Sequence, residues 1–425
     1  MNKITSIVAR QRKEGEERLS SRKLVERDSE ARLRDQLENN IIKVISGVRR
    51  SGKSTLALLL LRGKKFGYVN FDEKELTGVS LDELLSSLRE VYGEFDFLLL
   101  DEIQNVNGWE LWANSLQRRG YRLIITGSNA KLLSKELATH LTGRFLELEN
   151  YPFSFREFLR FKKFDTDQLE YLKERQGEAK RLLREYLERG GFPEYLVEGL
   201  DESYLRTLFD SIVYNDIVKR WKVKNAVKVE DLARCLVSIF GREYSATKLR
   251  NTLDLKSTVT VQNYVKYLEE AFIIFSLERF SLKMKEFMKA PKKVYCVDLG
   301  LSNAISTRMS EEFGLRMGNA VFLELKRRGF KENRNMFYFR KNEKEVDFLL
   351  KEGLEVKELI QVTYASGRDE IEKREIKALI EAGELLNCKN MLLITWDYNE
   401  EETLEGRTIK FLPLWKWLIG ATSVQ

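Results

Sequence analysis

One histidine, His140, stands in 425 residues, and the three cysteines, Cys235, Cys296 and Cys388, lie far apart with no CxxC pair. With these absences the sequence suggests neither a zinc site nor a disulfide framework. His140 has no cysteine or histidine partner in sequence and reads as structural. Cys296 sits in an apolar run and reads as core. There are only four prolines, no repeat and no low-complexity stretch, so no linker announces itself. No run approaches the roughly 18 uncharged apolar residues that suggest a membrane helix; the longest are short, such as FDFLLL. The N-terminus, MNKITSIVARQRKEGEERLSSRK, lacks an apolar core of signal-peptide length. The expectation is a cytoplasmic protein with no membrane partner.

What is present points to folded domains. Apolar residues make up 43% and aromatic residues 11%, enough for real cores, which excludes global disorder. The length suggests two to three domains. The net charge of +7 is a mild excess that permits a polyanionic partner without requiring one.

Residues 8 to 39 are rich in Arg, Lys and Glu with sparse apolar positions at Leu19, Leu24, Val25, Leu33 and Leu37. They read as a charged helix, either packed on the next domain or serving as a DNA- or partner-binding arm. From residue 40, short apolar runs (IIKVIS, FGYVNF, FDFLLLDE, YRLIITGS) alternate with helical patterns. Strands that are apolar throughout are buried on both faces, so the fold class is α/β, a parallel sheet with helices on both sides. Residues 151 to 235 switch to helical periodicity. Residues 243 to 280 read as helix, turn, helix and strand, the order of a winged helix. After residue 290 a second α/β unit begins.

The segment GVRRSGKS places Gly47, Gly52, Lys53 and Ser54 in the GxxxxGK[ST] pattern, after a strand and before a helix. Glycines let backbone N–H groups curl around phosphate oxygens, and the positive end of the following helix adds to the field. Lys53 is expected to reach the β- and γ-phosphates of ATP, and the Ser54 hydroxyl to ligate Mg²⁺. Arg50, Ser51 and Thr55 complete the expected nucleotide-binding set. FDFLLLDEIQ then ends a strand, expected beside the P-loop strand, in Asp101 and Glu102. Asp101 is expected to hold the Mg²⁺ shell and Glu102 to polarise the attacking water as general base. The next strand ends in Thr126, Ser128 and Asn129, where Asn129 or Ser128 could sense the γ-phosphate. Arg144 is a candidate arginine finger, in cis or from a neighbouring subunit of a homo-oligomer, with a salt bridge as the alternative.

Together GVRRSGKST, LLLDEIQNVNGWE, TGSNAKLLSKELATHLTGRF, YPFSFREF, GGFPEY, EVDFLL and LIQVTYA resemble the AAA-type ATPases of archaea and bacteria that carry a C-terminal nuclease-like domain of unknown function. The resemblance runs from about residue 40 to residue 400. After the charged N-terminal helix read over 1–39, it implies a P-loop AAA-type core over 40–150 and a helical lid over 151–235. A winged helix over 236–285 and a restriction-endonuclease-like α/β domain over 286–425 follow. In that family Lys53, Ser54, Asp101 and Glu102 occupy the ATPase positions.

A metal-dependent nuclease of that fold needs two carboxylates near one Mg²⁺ and usually a lysine near the attacking water. Glu324 on a helix and Asp347 on a strand could serve, but the expected Glu-x-Lys is replaced by Gln361-Val362-Thr363. The site is depleted; Lys344 is a nearby lysine that could replace the missing one. Lys248, Arg250, Lys256 and Lys266 lie near the second helix of the winged-helix segment, where DNA or protein could be met. Two functional readings follow. One is an ATPase acting on or near DNA through the winged helix and the nuclease-like domain. The other is an ATP-dependent signalling switch whose inactive nuclease-like domain binds a protein partner. A transporter subunit or kinase fits poorly, because no transporter signature follows the P-loop and no Arg-rich lid for a substrate phosphate is evident.

Overall fold

The computed structural model describes residues 2–21, 23–128, 145–166, 173–281, 283, 290–306 and 312–420. The chain forms two compact units: Met1–Phe153 with Phe192–Gly199 and Glu270–Phe272, and Ser154–Gly191 with Leu200–Glu269 and Ile273–Gln425. Most of the segment expected as one helical lid therefore belongs to the second unit, and Phe192–Gly199 to the first.

The first unit is built on β1 (Ile42–Ser46), β2 (Phe66–Asn70), β3 (Phe97–Asp101), β4 (Arg122–Gly127) and β5 (Phe145–Glu149). All pairs are parallel, in the order β2-β3-β4-β1-β5. Helices α1 (Lys3–Ser20), α2 (Asp28–Arg34), α3 (Lys53–Leu60), α4 (Leu81–Tyr92) and α5 (Trp109–Arg118) cover both faces. The period of two along each strand divides the core. Val44, Leu98, Leu100 and Ile125 pack with Val8, Leu88 and Leu116. Ile45, Leu99 and Ile124 pack with Leu33, Leu56 and Leu60. The apolar runs are thus buried on both sides, as a parallel sheet requires. β5, with the sequence Phe-Leu-Glu-Leu-Glu, is a half-buried edge strand without a continuous apolar run.

The N-terminal segment differs from the single helix expected over 8–39. α1 starts at Lys3, where the Asn2 side chain accepts the Thr5 N–H at 2.8 Å, a cap that satisfies one orphan amide. Its buried positions Ile4, Ile7, Val8, Gln11 and Gly15 recur at helical spacing. Gln11 exchanges two hydrogen bonds with the Asn70 backbone, at 2.9 and 3.0 Å. The helix is part of the core. Its charges face outward in pairs such as Arg12–Glu16.

In the second unit come α6 (Phe155–Phe161), α7 (Lys173–Arg189), α8 (Glu202–Ser211) and a π-helical run, Ile212–Lys219. Then follow α9 (Ala226–Ser238), β6 (Glu243–Tyr244), α10 (Ala246–Thr252), α11 (Thr258–Glu270), β7 (Ile274–Leu277), β8 (Arg279–Phe280) and β9 (Lys292–Cys296). Strands β6, β9 and β7 form a three-stranded antiparallel sheet in that order. Cys296 is buried there, in the core as expected.

The remaining elements are α12 (Leu299–Ile305), α13 (Phe313–Arg327), β10 (Met336–Lys341), β11 (Lys344–Glu352), β12 (Glu355–Val362), α14 (Lys373–Leu385), β13 (Met391–Thr395), β14 (Glu400–Leu404), β15 (Arg407–Pro413) and α15 (Leu414–Ile419). They build a mixed seven-stranded sheet ordered β14-β15-β13-β12-β11-β10-β8. α14 bridges the parallel pair β12 and β13 and packs Ile376 and Leu379 on Leu349, Leu359 and Leu393. The fold is mixed α/β, a five-stranded parallel sheet flanked by helices plus a second, mixed sheet.

Candidate nucleotide site

The loop between β1 and α3 is shaped by positions only glycine tolerates. Gly47 has φ 149°, and a Cβ there would stand 2.1 Å from the Asn150 carbonyl oxygen. Gly52, at φ 90° and ψ 24°, turns the chain into α3. Lys53, 4% exposed, donates to the carbonyls of Gly47 at 3.1 Å and Val48 at 3.2 Å. Its ammonium also lies 3.7 Å from Oε1 of Glu102.

The strand carrying the two acids is not beside the P-loop strand: β4 lies between β1 and β3. The acids reach the loop because parallel strands end at one edge. The Ser54 hydroxyl donates to Oδ1 of Asp101 at 2.9 Å, Thr126 of β4 also donates to Oδ1, and Tyr68 of β2 donates to Oδ2 at 3.2 Å. Burial, then the charge of Glu102, raises the Asp101 pKa above the ordinary carboxylate range; Thr126, Ser54 and Lys53 oppose the rise. Burial also works against the Glu102 charge, but Lys53, Gln104, Arg49 and Ser128 outweigh it and hold that carboxyl below the ordinary range. Glu102 itself sits at φ 51°, a left-handed conformation. Gln104 and Ser128 both donate to its Oε2, Ser128 at 3.2 Å.

A cleft of about 470 Å³ opens on this cluster, lined by Lys53, Ser54, Thr55, Asp72 and Glu102, and by apolar Leu24, Val25, Pro193 and Val197. That volume falls in the range of small-molecule sites. Arg50 lines the cleft and pairs with Glu194 at 3.2 Å. Ser51 is fully buried, and its hydroxyl accepts from Asn150 at 3.2 Å. An oxygen pair such as Ser54 and Asp101 suits Mg²⁺, which takes hard oxygen ligands. Asn129, His140 and Arg144 lie outside the described residues.

Two bracing residues escaped the sequence reading. The Asn150 amide donates to the Ser51 carbonyl at 2.9 Å. Arg27 donates to the carbonyls of Ser51 at 3.0 Å and Tyr151 at 2.6 Å, and its guanidinium lies 5.2 Å from the Phe153 ring centroid. Arg27 is one of many charged residues in its segment, and nothing local distinguishes it.

In the second unit Asp347 and Gln361 meet, because the Asp347 N–H donates to Oε1 of Gln361 at 3.2 Å. Oδ2 of Asp347 accepts the Val362 N–H at 3.0 Å, and Oδ1 faces the ammonium of Lys293 at 2.8 Å. Lys293 also pairs with Glu345 at 2.6 Å. Burial disfavours the Lys293 charge, yet Asp347, Tyr295 and Glu345 keep its pKa well above the ordinary value. Glu324, 1% exposed, is engaged instead by Arg156 and Arg328, each at 3.2 Å, and by Arg327 at 3.9 Å. Lys344 pairs with Glu381. This donor set does not fit a divalent metal: an ammonium holds one oxygen of Asp347 and a backbone amide the other. Among the described residues no group of three metal-ligating side chains occurs.

The AAA domain family matches residues 39–159, the segment that carries the P-loop sequence, the parallel sheet and the paired acids. A domain of unknown function (DUF8612) matches residues 180–312. The chain is 38% identical over 414 residues to an uncharacterized protein of Methanocaldococcus jannaschii, covering 93% of this chain and 91% of that protein. It is 32% identical over 400 residues to an uncharacterized protein of Haemophilus influenzae, covering 89% and 94%. The chain belongs to one family with these proteins. Among solved structures, the Walker-type ATPase of Pyrococcus abyssi aligns at 17% identity with a TM-score of 0.45, over 66% of this chain and 96% of that one.

Proposed function

We propose that this protein binds ATP with Mg²⁺ and hydrolyses it, and that it works on DNA. One observation carries the ATPase reading: Lys53, Ser54, Asp101 and Glu102, from two segments about 50 residues apart in a P-loop architecture, meet through contacts of 2.9 and 3.7 Å at one cleft. In this reading Lys53 takes the β- and γ-phosphates, Ser54 and Asp101 hold Mg²⁺, and Glu102 accepts the proton of the attacking water. Gly47, Arg50, Ser51, Gly52 and Thr55 shape the cradle. Ser128 stands beside Glu102, where it could report the γ-phosphate; Asn129 and Arg144 keep the sensor and finger roles proposed for them. No described helix is long and apolar enough to cross a membrane, and the working place proposed is the cytoplasm.

The DNA reading is supported by the run of helix α9, strand β6, helices α10 and α11, and strands β7 and β9 of the same antiparallel sheet, the order of a winged helix. Lys293 on Asp347 favours a nuclease-like unit that binds rather than cuts. The same observation suits the second reading, a switch whose inert C-terminal unit holds a protein partner. ATP turnover of the full chain, measured alone and with single-stranded, duplex and branched DNA, tests both. Stimulation by DNA supports the first, and turnover indifferent to every DNA while responding to a co-purified protein supports the second. Absence of turnover with Mg²⁺ and ATP overturns the ATPase reading.

A further inference from the structure

α11 has two distinct faces. Val261, Val265 and Leu268 are buried. Val259, Gln262 and Asn263 are exposed and Lys266 is half-exposed; their spacing of three, four and seven places them on one side of the helix. That side offers a methyl-bearing group, two amides and an ammonium, with no carboxylate between Leu255 and Leu268.

Beside this helix lies a strongly basic loop. Lys219, Arg220, Trp221, Lys222, Val223 and Lys224 follow one another, and no acid occurs from Ile217 to Val229. The Trp221 ring stacks on Tyr267 of α11, with centroids 4.5 Å apart and planes 10° from parallel. The loop is thereby fixed against the helix and does not trail from it. Lys222 takes a left-handed conformation, φ 48°. Lys228, at the start of α9, donates to the Leu253 carbonyl at 2.7 Å, which ties the loop's far end to the end of α10, three residues before Lys256. Lys219, Lys222, Lys224 and Lys256 are exposed. Among the described residues none of these four, nor Lys266, enters an ion pair or a side-chain hydrogen bond, whereas nearby Arg234 is paired with both Asp210 and Glu230.

A set of unpaired ammonium groups held at fixed positions is a surface for regularly spaced negative charge. The two amides on the same helix face choose among such partners, because Asn and Gln read base edges in a major groove wide enough to admit a helix. The aromatic rings are stacked on each other and half-buried, so they offer no open platform of the kind single strands use. We propose that this face binds duplex DNA: α11 enters the major groove with Gln262 and Asn263 toward base edges, while Lys219, Lys222 and Lys224 hold the adjacent phosphates. The proposal rests on the reading that the protein acts on DNA and adds the element that carries the contact.

The test is fluorescence anisotropy of a labelled mixed-sequence duplex with the full-length protein, from 50 to 200 mM salt, with ATP turnover as the check of folding. None of the altered residues belongs to the nucleotide site. The parent is expected to bind with an affinity that falls steeply with salt. Lys222→Ala/Lys224→Ala is expected to weaken binding about equally on all sequences and to reduce the log–log salt slope by about 2. Asn263→Ala is expected to lose sequence preference in a selection from random duplexes while keeping most of the affinity. If the parent binds duplex and the double variant matches it in affinity and slope, the surface is wrong while the DNA reading stands. If the parent binds no duplex at 50 mM salt, the DNA reading fails and the surface with it. Polyglutamate binding as tight as duplex overturns the DNA assignment in favour of an acidic protein.

Discussion

The ammonium of Lys53 stands 3.7 Å from Oε1 of Glu102 while donating to the Gly47 and Val48 carbonyls. The cation proposed to meet phosphate thus holds the proposed general base in check. A triphosphate that draws Lys53 toward itself would weaken the first of the groups that keep the Glu102 carboxyl low and leave it a better proton acceptor.

Glu102→Gln is accordingly expected to keep ATP affinity near that of the parent and to lose turnover by roughly 10² to 10⁴ fold. Lys53→Ala is expected to lose nucleotide affinity itself. Calorimetric titration and a phosphate-release assay separate the two effects; a Glu102→Gln variant with undiminished turnover removes Glu102 from the chemistry.

The back of the P-loop gives a second expectation. Asn150→Ala removes one of two donors to the Ser51 carbonyl, which keeps Arg27, and the donor to the buried Ser51 hydroxyl, a loss of about 1 kcal/mol. Gly47→Ala places a Cβ on the Asn150 carbonyl and is expected to be the more severe. Both should raise KM for ATP more than they lower kcat. The idea fails if Gly47→Ala binds nucleotide as the parent does.

The Lys293–Asp347 pair predicts an asymmetry in a double-mutant cycle. Lys293→Met strands a partly buried carboxylate and is expected to cost about 3 kcal/mol, whereas the further change Asp347→Asn should restore most of the loss. Denaturant unfolding of the four proteins measures it. With the pair intact, neither Mg²⁺ nor Mn²⁺ is expected to support cleavage of any DNA, and cleavage abolished by Asp347→Ala would contradict the assignment.

Burial pushes Glu375 from its ordinary 4.5 up to about 7, with Asp347 and Glu372 adding to the rise and Thr363 and Arg374 opposing it. The folded state then binds more protons than the unfolded state between these values, so this group makes stability fall as pH rises from about 4.5 to about 7. Glu375→Gln should flatten that decline in a pH series of thermal unfolding. An unchanged slope would place the carboxyl in water.

Lys344 and Lys293 illustrate what a strand pattern does and does not reveal. Lys344 lies three positions from Asp347 on β11, so the two side chains leave opposite faces of the sheet, and Lys344 meets Glu381 instead. Glu345, two positions away, shares the face with Asp347, and both meet Lys293. Period two alone rules out Lys344, but nothing in the sequence nominates a lysine on β9. β14 is a half-exposed edge strand rich in glutamate and lacks the continuous apolar run of β13, so its sequence carries no comparable strand signal.

The chain by itself determined the P-loop, the strands that precede its loop and its acids, and the helix that follows Lys53, because each depends on contiguous residues: a glycine's free backbone, a run of apolar side chains, a helix start. Only the tertiary structure decided that β4 lies between β1 and β3, that Arg27 and Asn150 brace the loop, that Lys293 closes on Asp347, and that Trp221 fastens a basic loop to α11. Those relations join residues tens of positions apart. They follow from which faces must be buried together, a condition that belongs to the whole fold and is written in no single segment.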